Sequence, residues 1–295
     1  MGICGTDIQD FGYWWEGKVQ SERMHIVYLQ ERMGLSTTSS CGLGILLWSE
    51  TLRVNKCFPN LQVLNLISVS GFKQPKIHPS YVTVIAPNLI TLELEFECRF
   101  ILSNSLYVEA LKLSHFHLLI DRIEGEITIK NSENLKTLFL SSSNIRSLLI
   151  KFPFTETMEN LSLDRYSGIH EFRDLKFSLK DLFCVFLNVT SLCFKSSAWS
   201  DFKLWYGTWD GMKALKTFRG YLMTVDLSLT PCLACVMDQC INLVDVSLFF
   251  HRGDVSRGFI DRCMARWPKV KWRWGMWEEE MEAVWITDDQ LPKKR

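Results

Sequence analysis

The sequence has 295 residues, 47% of them apolar, with 33 basic and 33 acidic side chains and so no net charge. That apolar content is enough to bury one long core or two compact ones, and it excludes a disordered chain. Zero net charge removes any global attraction to nucleic acid or to an anionic membrane surface.

The chain opens on Met1-Gly2-Ile3-Cys4-Gly5-Thr6, which matches the N-myristoylation pattern and offers Cys4 as a second acyl site. Asp7 follows where a basic residue would help hold an anionic leaflet, so attachment by lipidation is not expected. No basic-then-apolar leader is visible, and Cys98, Cys184, Cys193, Cys235, Cys240 and Cys263 lie in apolar stretches. Free thiols in a cytoplasmic or nuclear compartment are expected. Residues 1–50 show no repeat and are read as an irregular segment. Their apolar run, Cys41 to Trp48, contains two glycines and is far short of the about twenty residues a membrane span needs.

From residue 51 a phrase recurs. It reads NLQVLNL from Asn60, NLITLEL from Asn88 and NLKTLFL from Asn134. Looser copies are VEALKL from Val108, MENLSL from Met158, VTSLCF from Val189, LKTF from Leu215 and LVDVSL from Leu243. Their first apolar residues are Leu61, Leu89, Val108, Leu135, Met158, Val189, Leu215 and Leu243, at intervals of 28, 19, 27, 23, 31, 26 and 28. A leucine-rich repeat runs about 20–29 residues. In each copy the last two leucines alternate with other residues, so they point to one face of a short strand. One coil cannot close a core alone, but stacked coils line their leucines into a ladder. Leu64, Leu66, Leu92, Leu94, Leu138, Leu140, Leu161, Leu163, Leu192, Val246 and Leu248 are therefore expected to be buried. The Asn before the first leucine suits a turn, where its side chain can bond neighbouring backbone.

Between residues 120 and 165, EITIK from Glu126 and RSLLIKF from Arg146 compete as strands, and the register stays open there. Farther on, Leu175, Leu179, Leu182, Phe183 and Phe186 recur at helical spacing. Leu233, Val236, Met237 and Cys240 do the same after Thr230-Pro231, an N-cap and N1 pair. Phe259, Cys263 and Trp267 repeat the pattern and are stopped by Pro268. The fold class expected is an α/β leucine-rich-repeat solenoid over residues 51–277. It is a horseshoe with short parallel strands inside and helices or irregular segments outside. Trp267, Trp272, Trp274, Trp277 and Trp285 are expected to cap the last coil, and 278–295 reads as a polar tail.

The phrases CFPNLQVLNL at Cys57 and APNLITLELE at Ala86 resemble the repeats of plant F-box/leucine-rich-repeat proteins, over roughly residues 52–275. The resemblance implies that the repeats hold a target protein. It also implies an N-terminal F-box that docks on a Skp-type adaptor of a cullin ubiquitin ligase. Residues 1–50 contain no Leu-Pro pair and no helical pattern around Trp14, Trp15 and Trp48. The chain itself is therefore expected not to bind such an adaptor tightly. The alternative is a repeat scaffold or inhibitor with no link to ubiquitination.

No constellation for catalysis stands out. No Gly-rich phosphate loop or G-x-S-x-G elbow is present. Cys232-x2-Cys235-x4-Cys240 lacks the second ligand pair that zinc requires, and His115-x-His117 stands alone. No enzyme activity, cofactor or metal is expected. The expected site is instead a protein-binding concave face. It is made of residues between and beside the leucines: Glu93, Glu95, Lys112, Phe139, Asp164, Lys195, Arg219, Tyr221, Asp245 and Phe249. Acid sits toward the first coils and Lys195 and Arg219 later, which would orient a partner of opposite polarity. Arg219, Tyr221, Phe249 and Phe139 are the favoured anchors, because Arg and aromatic side chains dominate interface energetics.

Overall fold

A computed structural model describes residues 42–43, 51–53, 60–69, 82–96, 101–102, 105–152, 156–164, 178–195, 198–199, 213–223, 229–251, 257–278 and 283–286. The lipidation pattern, Trp14, Trp15, Trp48, Cys98, Leu175 and the end of the tail lie outside the described residues. The chain divides into two compact units, 1–135 and 136–295. The architecture is mixed α/β with mostly parallel sheets.

In the first unit each turn of the chain supplies strands to two sheets. In chain order they are β1 (Gly42–Leu43), β2 (Thr51–Arg53), β3 (Val63–Val69), β4 (Val82–Ile85), β5 (Thr91–Phe96), β6 (Ile101–Leu102), β7 (Leu106–Glu109), β8 (His115–Leu119), β9 (Arg122–Ile123) and β10 (Ile127–Lys130). Strands β1, β3, β5 and β8 pair side by side in parallel. Strands β2, β4, β7 and β10 form a second parallel sheet, and β6 pairs with β9. Alternation explains the burial. Leu64, Leu92 and Phe116 align across the first sheet, as do Leu66, Leu94 and Leu118, and all six are buried. In the second sheet Val84, Val108 and Ile129 align and are buried in the same way.

This register corrects the third copy of the repeat. Val108 lies on β7 in the second sheet, so VEALKL is not a ladder strand. The ladder copy is Leu113, Phe116 and Leu118, with an aromatic ring replacing one leucine. Lys112 consequently sits exposed in the turn before β8 rather than on a strand. The strand's accessible side carries His115, His117 and Leu119 instead. EITIK is a strand, β10, but of the second sheet.

The second unit returns through helices where any return element is described. Its elements are β11 (Thr137–Ser141), α1 (Ile145–Lys151), β12 (Asn160–Asp164), α2 (Leu179–Val185), β13 (Ser191–Phe194), β14 (Thr217–Leu222), α3 (Leu229–Gln239), β15 (Asp245–His251), α4 (Arg257–Arg266), β16 (Lys271–Trp277) and β17 (Val284–Trp285). Strands β11 to β16 pair each with the next in parallel, and β17 closes on β16 antiparallel. Leu138, Leu161, Leu192, Phe218 and Val246 stand in one row, and all are buried. All eleven residues expected in the ladder are buried across the two units.

RSLLIKF is α1, not a strand. Asn144 Oδ1 accepts from the Ser147 N–H at 3.0 Å, and Ile145, Leu148 and Leu149 fall on one buried face. Helix α2 opens on a reciprocal cap. Ser178 Oγ accepts from the Asp181 N–H at 3.2 Å, and Asp181 Oδ2 accepts from the Ser178 N–H at 2.8 Å. Helix α3 begins at Leu229, so Thr230 and Pro231 lie within its first turn, where proline costs no hydrogen bond.

The asparagine of the repeat bonds backbone from the turn, and the carbonyl it reaches belongs to the neighbouring coil. Asn134 Nδ2 donates to the Leu111 carbonyl, Asn188 Nδ2 to Glu156 and Asn242 Nδ2 to Lys213, each at 2.7 Å. Each bond reaches back to the preceding coil and ties neighbouring coils at the turn. The sheets also extend past their expected limits. Gly42 and Leu43 pair with Asn65 and Leu66, and Val284 and Trp285 pair with Met276 and Gly275.

Candidate functional site

A strand with one side in the core presents its alternate residues on the other side. In the first unit, Asn65, Glu93 and His117 form one row of that side. Glu93 Oε1 lies 2.8 Å from His117 Nδ1, with both side chains partly exposed. Glu95 aligns with Leu119 beside them. His117 is therefore coupled to a carboxylate, which its i,i+2 spacing from His115 did not reveal. Among the described residues no group of His, Cys, Asp or Glu is arranged to hold a metal.

In the second unit the corresponding row is Phe139, Ser162, Cys193, Arg219, Ser247 and Arg273, one from each of β11 to β16. The next row includes Tyr221, Phe249 and Gly275. Lys195 follows β13 directly, and its Nζ lies 4.3 Å from the centre of the Tyr221 ring. Tyr221 stacks on Phe249 at 4.8 Å and 16°. The Arg219 guanidinium lies 5.8 Å from the Phe249 ring. Arg273 donates from Nη2 to Asp245 Oδ1 at 2.8 Å and from Nε at 3.2 Å, so that carboxylate is engaged.

Phe249 is 2% exposed, which corrects its reading as an open anchor. Besides Tyr221, a ring from a later strand covers it, and a glycine makes room for it. Trp285 packs against it at 4.8 Å, carried there by β17. Gly275 lets the ring settle on its strand neighbour, since a Cβ there would lie 2.5 Å from Phe249 Cδ1. Phe249 serves as the floor on which Tyr221, Arg219 and Trp285 rest. Its burial breaks the alternation along β15, where Val246 to Phe250 are all buried.

The C-terminal tryptophans divide between core and face. Trp272 and Trp274 stack at 5.1 Å with planes 1° apart, and Trp274 continues onto Phe250 at 6.0 Å. Trp267 Nε1 donates to Asp238 Oδ1 at 2.8 Å. Trp277 stands edge-on to Tyr221 at 5.8 Å, contacts His251 at 5.0 Å and donates from Nε1 to the Leu222 carbonyl. Trp285 stays 43% exposed beside Val284.

Of the expected site residues, Lys195, Arg219, Tyr221, Asp245 and Phe249 come together. Asp164 lies on neighbouring β12, and Phe139 lies on β11 at the far side of the same sheet. Glu93 and Glu95 belong to the first unit. Arg273, Trp277 and Trp285 join the cluster without having been expected there. Only the density of tryptophans near the end of the sequence hinted at them.

The six described cysteines are all free. Burial pushes the thiols of Cys193 and Cys240 up, and that of Cys263 up to about 11. Such thiols stay protonated and are poor nucleophiles or ligands at neutral pH.

Sequence comparison finds a relative over most of this chain. The chain is 30% identical over 261 residues, 79% of its length, to an F-box/LRR-repeat protein of Arabidopsis thaliana. It spans 57% of that protein's length. No protein-family model matches the chain, and no solved structure does. Among the described residues no helix is long and apolar enough to cross a membrane.

Proposed function

We propose that this chain, a relative of plant F-box/LRR-repeat proteins, is a protein-binding repeat module that holds a target as part of a ubiquitin-ligase substrate receptor. It binds and does not catalyse. The observation that carries this reading is the cluster on the second unit. A row of cationic and aromatic side chains stands on strands whose other side is filled by core. Repeats of this kind stack into a curved solenoid. In this reading the strand face is the concave side of a horseshoe, where a partner is enclosed. Recruitment to a ligase through a Skp-type adaptor is a separate task, assigned to residues outside the repeats.

The test is co-purification of a target with the tagged full chain. Arg219→Ala and Tyr221→Ala should each release the target, while Met264→Ala on the exposed side of α4 should retain it. A target kept by both face variants and lost with Met264→Ala contradicts the reading. Direct titration with a Skp-type adaptor addresses the second task. No tight complex is expected, and a sub-micromolar one would place a docking module within residues 1–50. A target that arrives with no ligase subunit favours a repeat scaffold outside ubiquitination.

A further inference from the structure

We propose that the strand face of the second unit recognises an acidic segment of its partner protein, a carboxylate-bearing stretch flanked by an apolar side chain. The inference rests on the protein-binding reading above and names what that surface selects.

Register places four cations on this face: Lys195 after β13, Arg219 on β14, and Lys271 and Arg273 on β16. Among the described strand positions two carboxylates accompany them, Asp164 and Asp245, leaving an excess of two positive charges there on a chain whose total is zero. Arg273 is already committed to Asp245. Lys195 and Arg219 are not. Among the described residues their charged groups lie over ring faces, those of Tyr221 and Phe249, and close enough to the buried Cys193 thiol to act on it. A ring attracts a cation through its quadrupole but accepts few of its N–H bonds. The guanidinium fork and the ammonium thus keep donors for an incoming anion.

Several features make this pair more than a solvated surface. The rings hold both cations in place, which reduces the side-chain entropy lost when an anion binds. Tyr221 is itself fixed by stacking on Phe249 and by the edge of Trp277. Apolar surface lies within reach of the same cluster. Trp285 rests on Phe249 and is 43% exposed, and Val284 is 57% exposed. A partner side chain on Val284 and Trp285 would bring a neighbouring carboxylate toward Arg219 and Lys195, where bidentate pairing with Arg is available. An excess of only two charges on a neutral chain does not suit a nucleic-acid backbone, which calls for an extended basic stripe.

The test is selection of a random displayed peptide library on the purified full chain. Enriched peptides should carry Asp or Glu beside Leu, Phe or Trp. Resynthesis of an enriched peptide with its acids changed to Gln or Asn should weaken binding to the wild-type chain about tenfold or more. Binding should likewise be lost with the double variant Lys195→Met and Arg219→Met, checked for an unchanged melting temperature. The double variant Lys195→Glu and Arg219→Glu should turn the selection toward Lys and Arg. Peptides that Tyr221→Ala abolishes but that show no acid dependence would overturn this inference and leave protein binding at the face intact. Peptides indifferent to every face variant, or no enrichment at all, would overturn both. An oligonucleotide that displaces the acidic peptides more effectively than any peptide would also overturn it.

Discussion

At the scale of single residues, the ladder leucines carry stability. Leu192 is wholly buried between Leu161 and Phe218 on the adjacent strands. Leu192→Ala should cost about 2–5 kcal/mol in urea unfolding, from lost transfer energy and the cavity left behind. Gly275 acts through absence. An alanine there would press its Cβ against the Phe249 ring at 2.5 Å and the Val284 carbonyl at 2.9 Å. Gly275→Ala should cost about 1–3 kcal/mol and loosen Trp285, read as a change in tryptophan fluorescence. Cys263 gives a pH signature. Burial keeps the folded thiol protonated up to about 11, against an ordinary value of 9.0 in the unfolded chain. Above 9 the unfolded state releases the proton first, so this contribution is complete below that pH and lost as pH rises through 11. The melting temperature of wild type should fall more steeply across that window than that of Cys263→Ala, and equal slopes would contradict the assignment. The ladder was legible residue by residue because leucine recurs at fixed spacing. Phe116 hid the third copy by replacing a leucine. Phe249 was misplaced because strand alternation says nothing about a later strand that comes to cover it.

At the scale of elements, helix caps and coil-to-coil bonds set the turns. Ser178→Ala removes the hydroxyl that accepts from the Asp181 N–H, leaves the Ser178 N–H bond to Asp181 in place, and should cost about 1 kcal/mol, measured by denaturant unfolding. Helices α2, α3 and α4 were readable from their apolar spacing. Helix α1 was not, since a seven-residue segment around Leu148-Leu149-Ile150 is short enough to fit strand and helix alike, and its Asn144 cap favours the helix. The first unit returns through strands where helices or irregular segments were expected. Thr83, Tyr107 and Thr128 stand in one row of its second sheet, residue types that suit pleated backbone better than helix. Strands β1 and β17 left no trace in the pattern. Each is a two-residue backbone pairing, which depends on what lies beside it rather than on its own side chains.

At the scale of the whole molecule, the repeat and its resemblance to plant F-box/leucine-rich-repeat proteins were visible in two short phrases around Pro-Asn-Leu. The candidate cluster was half visible. Lys195, Arg219 and Tyr221 followed from alternation, whereas Arg273, Trp277 and Trp285 required the register of β16 and β17. In the proposed function the strand face of the second unit, not its helices, meets the partner. Site-specific photocrosslinking in cells tests it most directly. A photoreactive phenylalanine analogue is placed at Tyr221 on the face, and in a second chain at Ile150, which is 66% exposed on α1. Adducts to a partner protein from position 221 and none from position 150 are the predicted result, and adducts from position 150 with none from position 221 would contradict it.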